Sequence, residues 1–541
     1  MSTQNNNDTN FIKQGAILAA ASILSRIIGL LYRSPMTAII GDEANGLYGY
    51  AFEIYSFALI LSSYSMPLAV SKLLSGKFAR KEYRNGYRIF KYSFWFSAIS
   101  GGLMMILLFS LSTILEKFTG YEGLAIPLRV LAPTIFVVSM LGTMRGFFQS
   151  RKTMIPTAVS QIIEQVVNAV ISILAAFIMV KLSTKDNHDG MGAAGGTMGT
   201  LFGAISAFCF VLFLYAAYRP RMNTHLSHDR SYVTATPGDI VKMLFATIIP
   251  IILSQAVYQA SGIIDGTMWG RIYEGADMKA LSSVYSKYRT LINIPNAISS
   301  SMASSMIPTL VSLWTLESYR DFRAKLAISV KTNMIIAFPC ALGFCALGTP
   351  IMRLLFPTTD YIISGRMLVI GGIAVVFYAL STITNAALQG LDKMNIPVIH
   401  AGISLALHVP LVYILLKHTS LGIYALLIGA VTYPLVVCIL NWFAVAKYAN
   451  YRQEIRTTFL IPAFSSIIMA GVTFGIYKLL SRISNSYFAN LVVVVICIII
   501  AVIVYIISIF LMKGLTRKDM PDFPMGMRIL RFAEKLHIVR E

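Results

Sequence analysis

The chain has 541 residues, of which 56% are hydrophobic and only 13% charged, and its mean hydropathy is +0.69. A water-soluble chain carries about 25% charged residues, so this composition excludes an ordinary soluble enzyme and requires lipid to face much of the surface. The net charge of +21 would suit a nucleic-acid partner if the basic residues formed a patch, but their distribution along the chain points to no nucleic acid and to an asymmetric membrane topology instead.

A helix needs about 20 apolar residues to cross the hydrocarbon. On that rule the chain reads as all-α, with about fourteen transmembrane helices, near 12–39, 45–74, 88–114, 123–148, 154–181, 191–218, 239–269, 281–312, 326–351, 362–389, 395–416, 420–446, 458–480 and 487–512. Before them, Met1 to Asn10 is polar and has no basic n-region, so the first span is expected to be retained rather than cleaved. Most of the 45 Lys and Arg fall on the side of the even-numbered turns and both tails. The other side has Lys117, Lys181, Lys185, Arg271, Lys279, Arg353, Lys417, Lys478 and Arg482. The positive-inside rule therefore places both termini in the cytoplasm of a multi-pass plasma-membrane protein. After Leu515, apolar residues at helical spacing through Arg528–Val539 predict an amphipathic helix on the inner leaflet or a short solvated one.

Segments about 240 residues apart resemble each other. Ser65-Met-Pro-Leu-Ala-Val-Ser returns loosely as Ser305-Met-Ile-Pro-Thr-Leu-Val-Ser, and Gln149, Met154 and Pro156 return as Gln389, Met394 and Pro397. This predicts two parallel six-helix lobes around a central cavity, 1–218 and 239–448, joined by a cytoplasmic linker at 219–238. Two extra helices at 449–514 and a tail at 515–541 follow. Transporters built from such repeats bind substrate where the repeats meet, near the midplane.

Ionisable groups inside a bilayer are costly and mark pathways or sites. Arg26 and Arg33 are seven residues apart, nearly two helical turns, and so share a face of the first span. Paired guanidiniums suit a phosphate or diphosphate, because each offers a planar fork of donors. A structural ion pair with Glu53 or Asp265 is the competing reading. Arg289, with Asn293 one turn on, occupies the corresponding region of the second half. In the fifth span Gln161, Glu164, Gln165 and Asn168 form a polar stripe that either touches substrate or joins helices. Gly192 to Gly203 and Ser299 to Ser305 predict close helix approach. Cys209, Cys340, Cys345, Cys438 and Cys497 lie in apolar runs, without metal-ligand or disulfide spacing. No phosphate-binding Gly-x-x-x-x-Gly-Lys-Ser/Thr loop is present. The expectation is a non-enzyme without cofactors, driven by membrane potential, Na+ or H+.

Two stretches carry a family resemblance. Ser25-Arg-Ile-Ile-Gly-Leu-Leu-Tyr-Arg33 with Gly46-Leu-Tyr-Gly-Tyr resembles the MurJ-type lipid II flippases. Arg145-Gly-Phe-Phe-Gln-Ser-Arg-Lys-Thr-Met-Ile-Pro-Thr-Ala-Val-Ser-Gln-Ile-Ile-Glu164 resembles the YtgP/SpoVB branch of polysaccharide-biosynthesis membrane proteins. The resemblance implies the multidrug/oligosaccharidyl-lipid/polysaccharide exporter fold. It also implies alternating-access export of an undecaprenyl-diphosphate-linked peptidoglycan precursor to the outer leaflet, in contact with membrane lipids and cell-wall synthesis proteins. The extra C-terminal helices would then hold the lipid tail, and Arg26, Arg33 and Arg289 would line the cavity. The chain departs from the family in the seven-residue arginine spacing, where the family has six, and in Asn293, where the family has an acid. A multidrug or cation antiporter of the same fold, and a non-transporting scaffold for cell-wall synthesis, are the alternatives.

Overall fold

The computed structural model describes residues 2–62, 66–151, 153–232, 236–358, 360–482, 486–515 and 531. They are almost entirely helical, with no strand among them. The helices are α1 (Ser2–Ser62), α2 (Met66–Ala79), α3 (Tyr83–Thr119), α4 (Ala125–Ser150), α5 (Ile155–Leu182), α6 (His188–His228), α7 (Pro237–Ile272) and α8 (Met278–Thr315). They continue with α9 (Tyr319–Leu355), α10 (Tyr361–Gly371), α11 (Ala374–Gly390), α12 (Asn395–His418), α13 (Tyr424–Ala449), α14 (Ile461–Leu480) and α15 (Tyr487–Leu511). The chain divides into two compact units, Met1–Ser283 and Val284–Glu541. Apart from Leu515 and Arg531, the tail at 515–541, expected as an amphipathic helix on the inner leaflet or a short solvated one, lies outside the described residues.

Among the described residues ten segments are long and apolar enough to cross a membrane, or eleven when α10 and α11 count as one bent span. Two physical reasons separate that number from fourteen. The first segment, Ala20–Phe78, runs through the break in α1 at Gly41, where φ is +82° and ψ 173°. A Cβ there would meet no atom, so glycine is needed for its left-handed backbone rather than for space. The second reason is that α8, of 38 residues, is long enough to span but is made polar by the serines of Ser299–Ser305; α7, of 36 residues, has the apolar run Ile240–Val257 and the length to span, though it is not among the ten. The span expected at 362–389 is bent by 50° between α10 and α11. The break would leave a carbonyl bare, and Tyr288 Oη donates to Gly371 O at 3.0 Å to satisfy it.

In the first unit α6 packs closely along α5 and α1 because its inner face is glycine. A Cβ on Gly195 would lie 2.7 Å from Ala176 Cα, and one on Gly196 2.9 Å from Met36 Sδ. Without a hydrophobic drive between helices in lipid, such close approach supplies the attraction. At the far end of this unit Phe78, Phe90, Phe147, Phe148 and Tyr218 join one apolar cluster. Arg151 lies over three of its rim rings, 5.1 Å from Phe78, 5.4 Å from Tyr218 and 6.0 Å from Tyr83. α7 packs on α1, α2 and α3.

The N-terminus of α3 is capped from a distance. Asp229 Oδ2 accepts from Arg84 N at 2.6 Å and Asp229 Oδ1 from Ser231 N at 2.7 Å. Burial raises the Asp229 carboxyl, but these N–H groups outweigh it and hold the group below the ordinary carboxylate range. The folded pKa is depressed, so the stabilisation is present above the unfolded value, about 4, and is lost as pH falls through the folded value. Asp229→Asn should reproduce that loss at neutral pH, lowering the unfolding midpoint by the equivalent of about 1 kcal/mol. Thermal unfolding of the purified variant measures it.

In the second unit the two C-terminal helices pack on α9. Tyr505 Oη of α15 donates to Ile335 O at 2.7 Å, within a cluster that includes Ile461, Met469 and Ile509. A short π-helical turn, Arg456–Leu460, leads into α14.

Candidate functional site

The first unit brings the charged residues of α1 into a defined setting. Arg26 is exposed, whereas Arg33, on nearly the same face two turns along, is half-buried. The Arg33 guanidinium lies 5.5 Å from the ring centre of Tyr48, beyond the Gly41 break. Tyr48 and Tyr32 hydroxyls are 3.3 Å apart, Asn168 Nδ2 donates to Tyr32 Oη at 3.4 Å, and Ser172 Oγ donates to Asn168 Oδ1 at 2.9 Å. Ser172 Oγ also donates to Gly196 O at 2.7 Å. Arg33 therefore rests on a polar relay that runs from α1 through α5 to α6.

The polar stripe of α5 is engaged along its length. Ser22 Oγ donates to Gln161 Oε1 at 3.2 Å, and Arg145 Nη2 to Glu164 Oε2 at 2.8 Å, with Arg145 Nε on Ser160 Oγ at 2.9 Å. Glu164 thus sits in an ion pair that ties α5 to α4. Arg145 belongs by its position to the basic loop residues, and nothing at sequence level singled it out. Its only signal was the short motif linking it to Glu164.

Glu53 Oε2 accepts from Gln259 Nε2 of α7 at 3.0 Å. Asp265, also on α7, is buried, and lies between Ile263 and Thr267, the two residues the Tyr50 hydroxyl meets. The Tyr50 hydroxyl lies 2.8 Å from Thr267 Oγ1. The two acids therefore belong to the α1–α7 contact.

A further polar cluster escaped sequence reasoning because its members are far apart in the chain. Asp189 Oδ2 and Lys279 Nζ are 2.8 Å apart, Ser283 Oγ donates to Asp42 Oδ1 at 2.9 Å, and Asn45 Nδ2 donates to Ser283 Oγ at 2.7 Å. Gly46 explains the close approach, since a Cβ there would fall 2.0 Å from the Lys279 carbonyl oxygen.

In the second unit Arg289 is half-buried with its guanidinium 5.9 Å from the Tyr285 ring centre, and Asn293 is exposed one turn on. Ser300, Ser301 and Ser304 are exposed and donate to their own helix at 2.8–2.9 Å. The packed side of the cluster is Ser299 and Ala303, one turn apart and both buried, and Ser299 donates to Asn333 Oδ1 at 2.8 Å. Ser300, Ser301, Ser304 and Ser305 thus form a polar face beside that seam. With Arg289 and Asn293 it makes a hydrophilic stripe at helical spacing. Lys287 is buried, 5.5 Å from the Phe356 ring centre. Among the described residues no group of three or more His, Cys, Asp or Glu side chains is placed to hold a metal ion.

The family model for polysaccharide biosynthesis proteins matches residues 11–314. The chain belongs to that family. A second model, MatE, matches residues 250–414. The lipid II flippase MurJ of Bacillus subtilis (strain 168) is 23% identical over 479 residues, covering 84% of this chain and 86% of the relative. Stage V sporulation protein B of the same organism is 22% identical over 473 residues, covering 85% and 88%. Among solved structures, lipid II flippase MurJ in an inward closed conformation superposes with a TM-score of 0.64 at 18% identity, covering 91% of this chain and 98% of that one. An inward-facing multidrug resistance MATE family transporter of the MOP superfamily superposes with 0.63 at 16% identity, covering 78% and 94%. The chain shares the all-α fold of these solved structures, and its apolar helices make it a multi-pass membrane protein.

Proposed function

We propose that this polysaccharide biosynthesis family member is a flippase for a lipid-linked oligosaccharide, and that its cargo is the diphosphate-linked peptidoglycan precursor lipid II. Membrane passage is the function shared by the flippases and transporters it resembles, and none of them is named as an enzyme. The observation that carries the specific reading is Arg33, a half-buried guanidinium fixed on Tyr48, with Arg26 exposed on the same face of α1. Two forks on one face suit a diphosphate, which presents several charged oxygens to in-plane donors. The second unit has polar groups of its own in Arg289, Asn293 and the exposed serines of α8.

In this reading the termini are cytoplasmic and the cargo moves outward. An anion leaving a negative interior gains about 2.3 kcal/mol per charge per 100 mV, so the potential can drive the step. Glu53 and Asp265, at the α1–α7 contact, are the groups through which Na+ or H+ would couple. A cation antiporter finds less support, because Glu164 is already neutralised by Arg145.

The deciding experiment measures movement of fluorescent lipid II across vesicles containing the full chain, with and without an imposed potential and with Na+ or pH gradients. Movement that depends on the protein is the expected result. If folded protein moves no lipid II under any gradient but moves an organic cation, the antiporter reading replaces this one.

A further inference from the structure

The first unit contains a cavity of about 250 Å³ between the second half of α1, α3 and α7. Its wall is almost wholly apolar. An apolar cavity of roughly 150 Å³ already stays dry and takes a hydrocarbon, so this larger one is no water site. Leu107 and Phe118, 50% and 60% exposed, stand at its mouth.

Length and polarity identify an occupant. On α3 the lining residues Met104, Leu108, Leu111, Leu115 and Phe118 recur at helical spacing. They rise roughly 20 Å along the helix axis, and one leaflet's hydrocarbon is about 15 Å deep. The groove therefore runs the depth of a single leaflet and ends where α3 ends, at Thr119. Its polar lining groups gather at that end. Tyr50 stacks on Tyr121 with ring centres 4.5 Å apart and is hydrogen-bonded to Thr267, while Leu61 lies eleven residues further along α1 with Met104 among the apolar lining.

A cation completes the polar end. Ile263, Thr267 and Arg271 are spaced by four along α7, which sets Arg271 one turn beyond the lining residues. Its Nε donates to Phe118 O, and its guanidinium lies 5.8 Å from the Phe118 ring centre. Lys117, next to Phe118 in the chain, is exposed. Of the acids nearby, Glu116 accepts from Ala125 N at 2.7 Å and Asp277 from Tyr273 Oη at 2.9 Å, while Glu122 and Glu274 are exposed.

We propose that this groove is a binding site for one membrane phospholipid, with an acyl chain along α3 and its phosphate on Arg271 and Lys117. The lipid would wedge α1, α3 and α7 together and make the packing of α7 sensitive to membrane composition. This site is separate from the arginine face of α1 and does not depend on what that face carries.

The full chain, extracted from vesicles of phosphatidylethanolamine and phosphatidylglycerol, is weighed intact by native mass spectrometry during stepwise delipidation. Wild type should retain one phospholipid. Leu111→Trp, which fills the groove, should weaken retention by about tenfold or more. Ile106→Trp, at a 59% exposed position of α3 outside the groove, should leave it unchanged. Arg271→Gln should weaken it by about fivefold. Equal retention by Leu111→Trp and Ile106→Trp overturns the proposal, as does a retained polyprenyl phosphate or a second copy of the chain in place of phospholipid. If Leu111→Trp does not fold, Arg271→Gln decides, and undiminished retention there overturns it.

Discussion

Replacing Arg26 and Arg33 together by alanine should reduce lipid II movement in reconstituted vesicles by about a hundredfold or more. A hydrogen bond to a charged group contributes roughly 1.5–3 kcal/mol, so each guanidinium removed from a diphosphate costs about tenfold to a hundredfold. The two single variants separate binding from folding. Arg26 is exposed, and Arg26→Ala should leave thermal stability within about 0.5 kcal/mol of the parent while transport falls. Arg33 also packs over Tyr48, so Arg33→Ala should lose about 0.5–2 kcal/mol of stability as well. Tyr48→Phe keeps the ring and removes the hydroxyl that faces Tyr32. Its transport should lie between those of the parent and Arg33→Ala, because the guanidinium keeps its ring but loses part of its orientation. Arg33→Lys keeps the charge without the planar fork and should restore only part of the rate. Full activity in the double variant would remove the diphosphate clamp from the mechanism.

The second large effect concerns architecture. Gly199→Val should abolish accumulation of folded protein in the membrane. A Cβ at Gly199 would lie 2.1 Å from Ser172 Oγ, 2.4 Å from Asn168 O and 2.6 Å from Asn168 Oδ1. Asn168 and Ser172 belong to the relay beneath Arg33, so the clash would separate α6 from α5 and loosen the arginine's support. Overpacking of this kind costs about 1–3 kcal/mol for a small excess, and valine adds two more carbons. Gly199→Ala should therefore fold with a lowered unfolding midpoint and slowed transport. Gly475→Ala in α14, where a Cβ meets nothing within 4 Å, should be tolerated and gain up to about 1 kcal/mol in helix propensity. Size-exclusion profiles and thermal unfolding of the three variants measure the series. Equal stability of Gly199→Val and the parent would show that the two helices can part at little cost.

Much of this protein was decided locally and so could be read from the chain. A bilayer demands helices with internally satisfied backbones, so the apolar runs of α3 to α6 and α12 to α15 announced themselves by length and composition. The Gly192–Gly203 run foretold the close seam of α6 for a similarly local reason, since a glycine stripe at helical spacing permits one thing in lipid, another helix pressed against it. Arg26 and Arg33 could be placed on one face because seven residues return almost to the same angle on a helix. What the chain by itself did not contain was any pairing between distant segments. Arg145 looked like one more basic loop residue until α4 and α5 were set side by side and it met Glu164. Asp189 met Lys279, and Asn45 met Ser283, across gaps of 90 and 238 residues that no periodicity encodes. The serines of α8 divided in the same way. Ser299 went to the packed side against Asn333 and its neighbours went to the exposed side, because composition states that a helix has small residues but only its rotation states which of them are covered. The bend between α10 and α11 likewise stands on Tyr288 reaching a carbonyl 83 residues away. Hydropathy and spacing determined which segments are helical and apolar, because those properties belong to single helices. Tertiary packing decided which polar groups are partnered and where α7 lies, because those depend on which helix faces which.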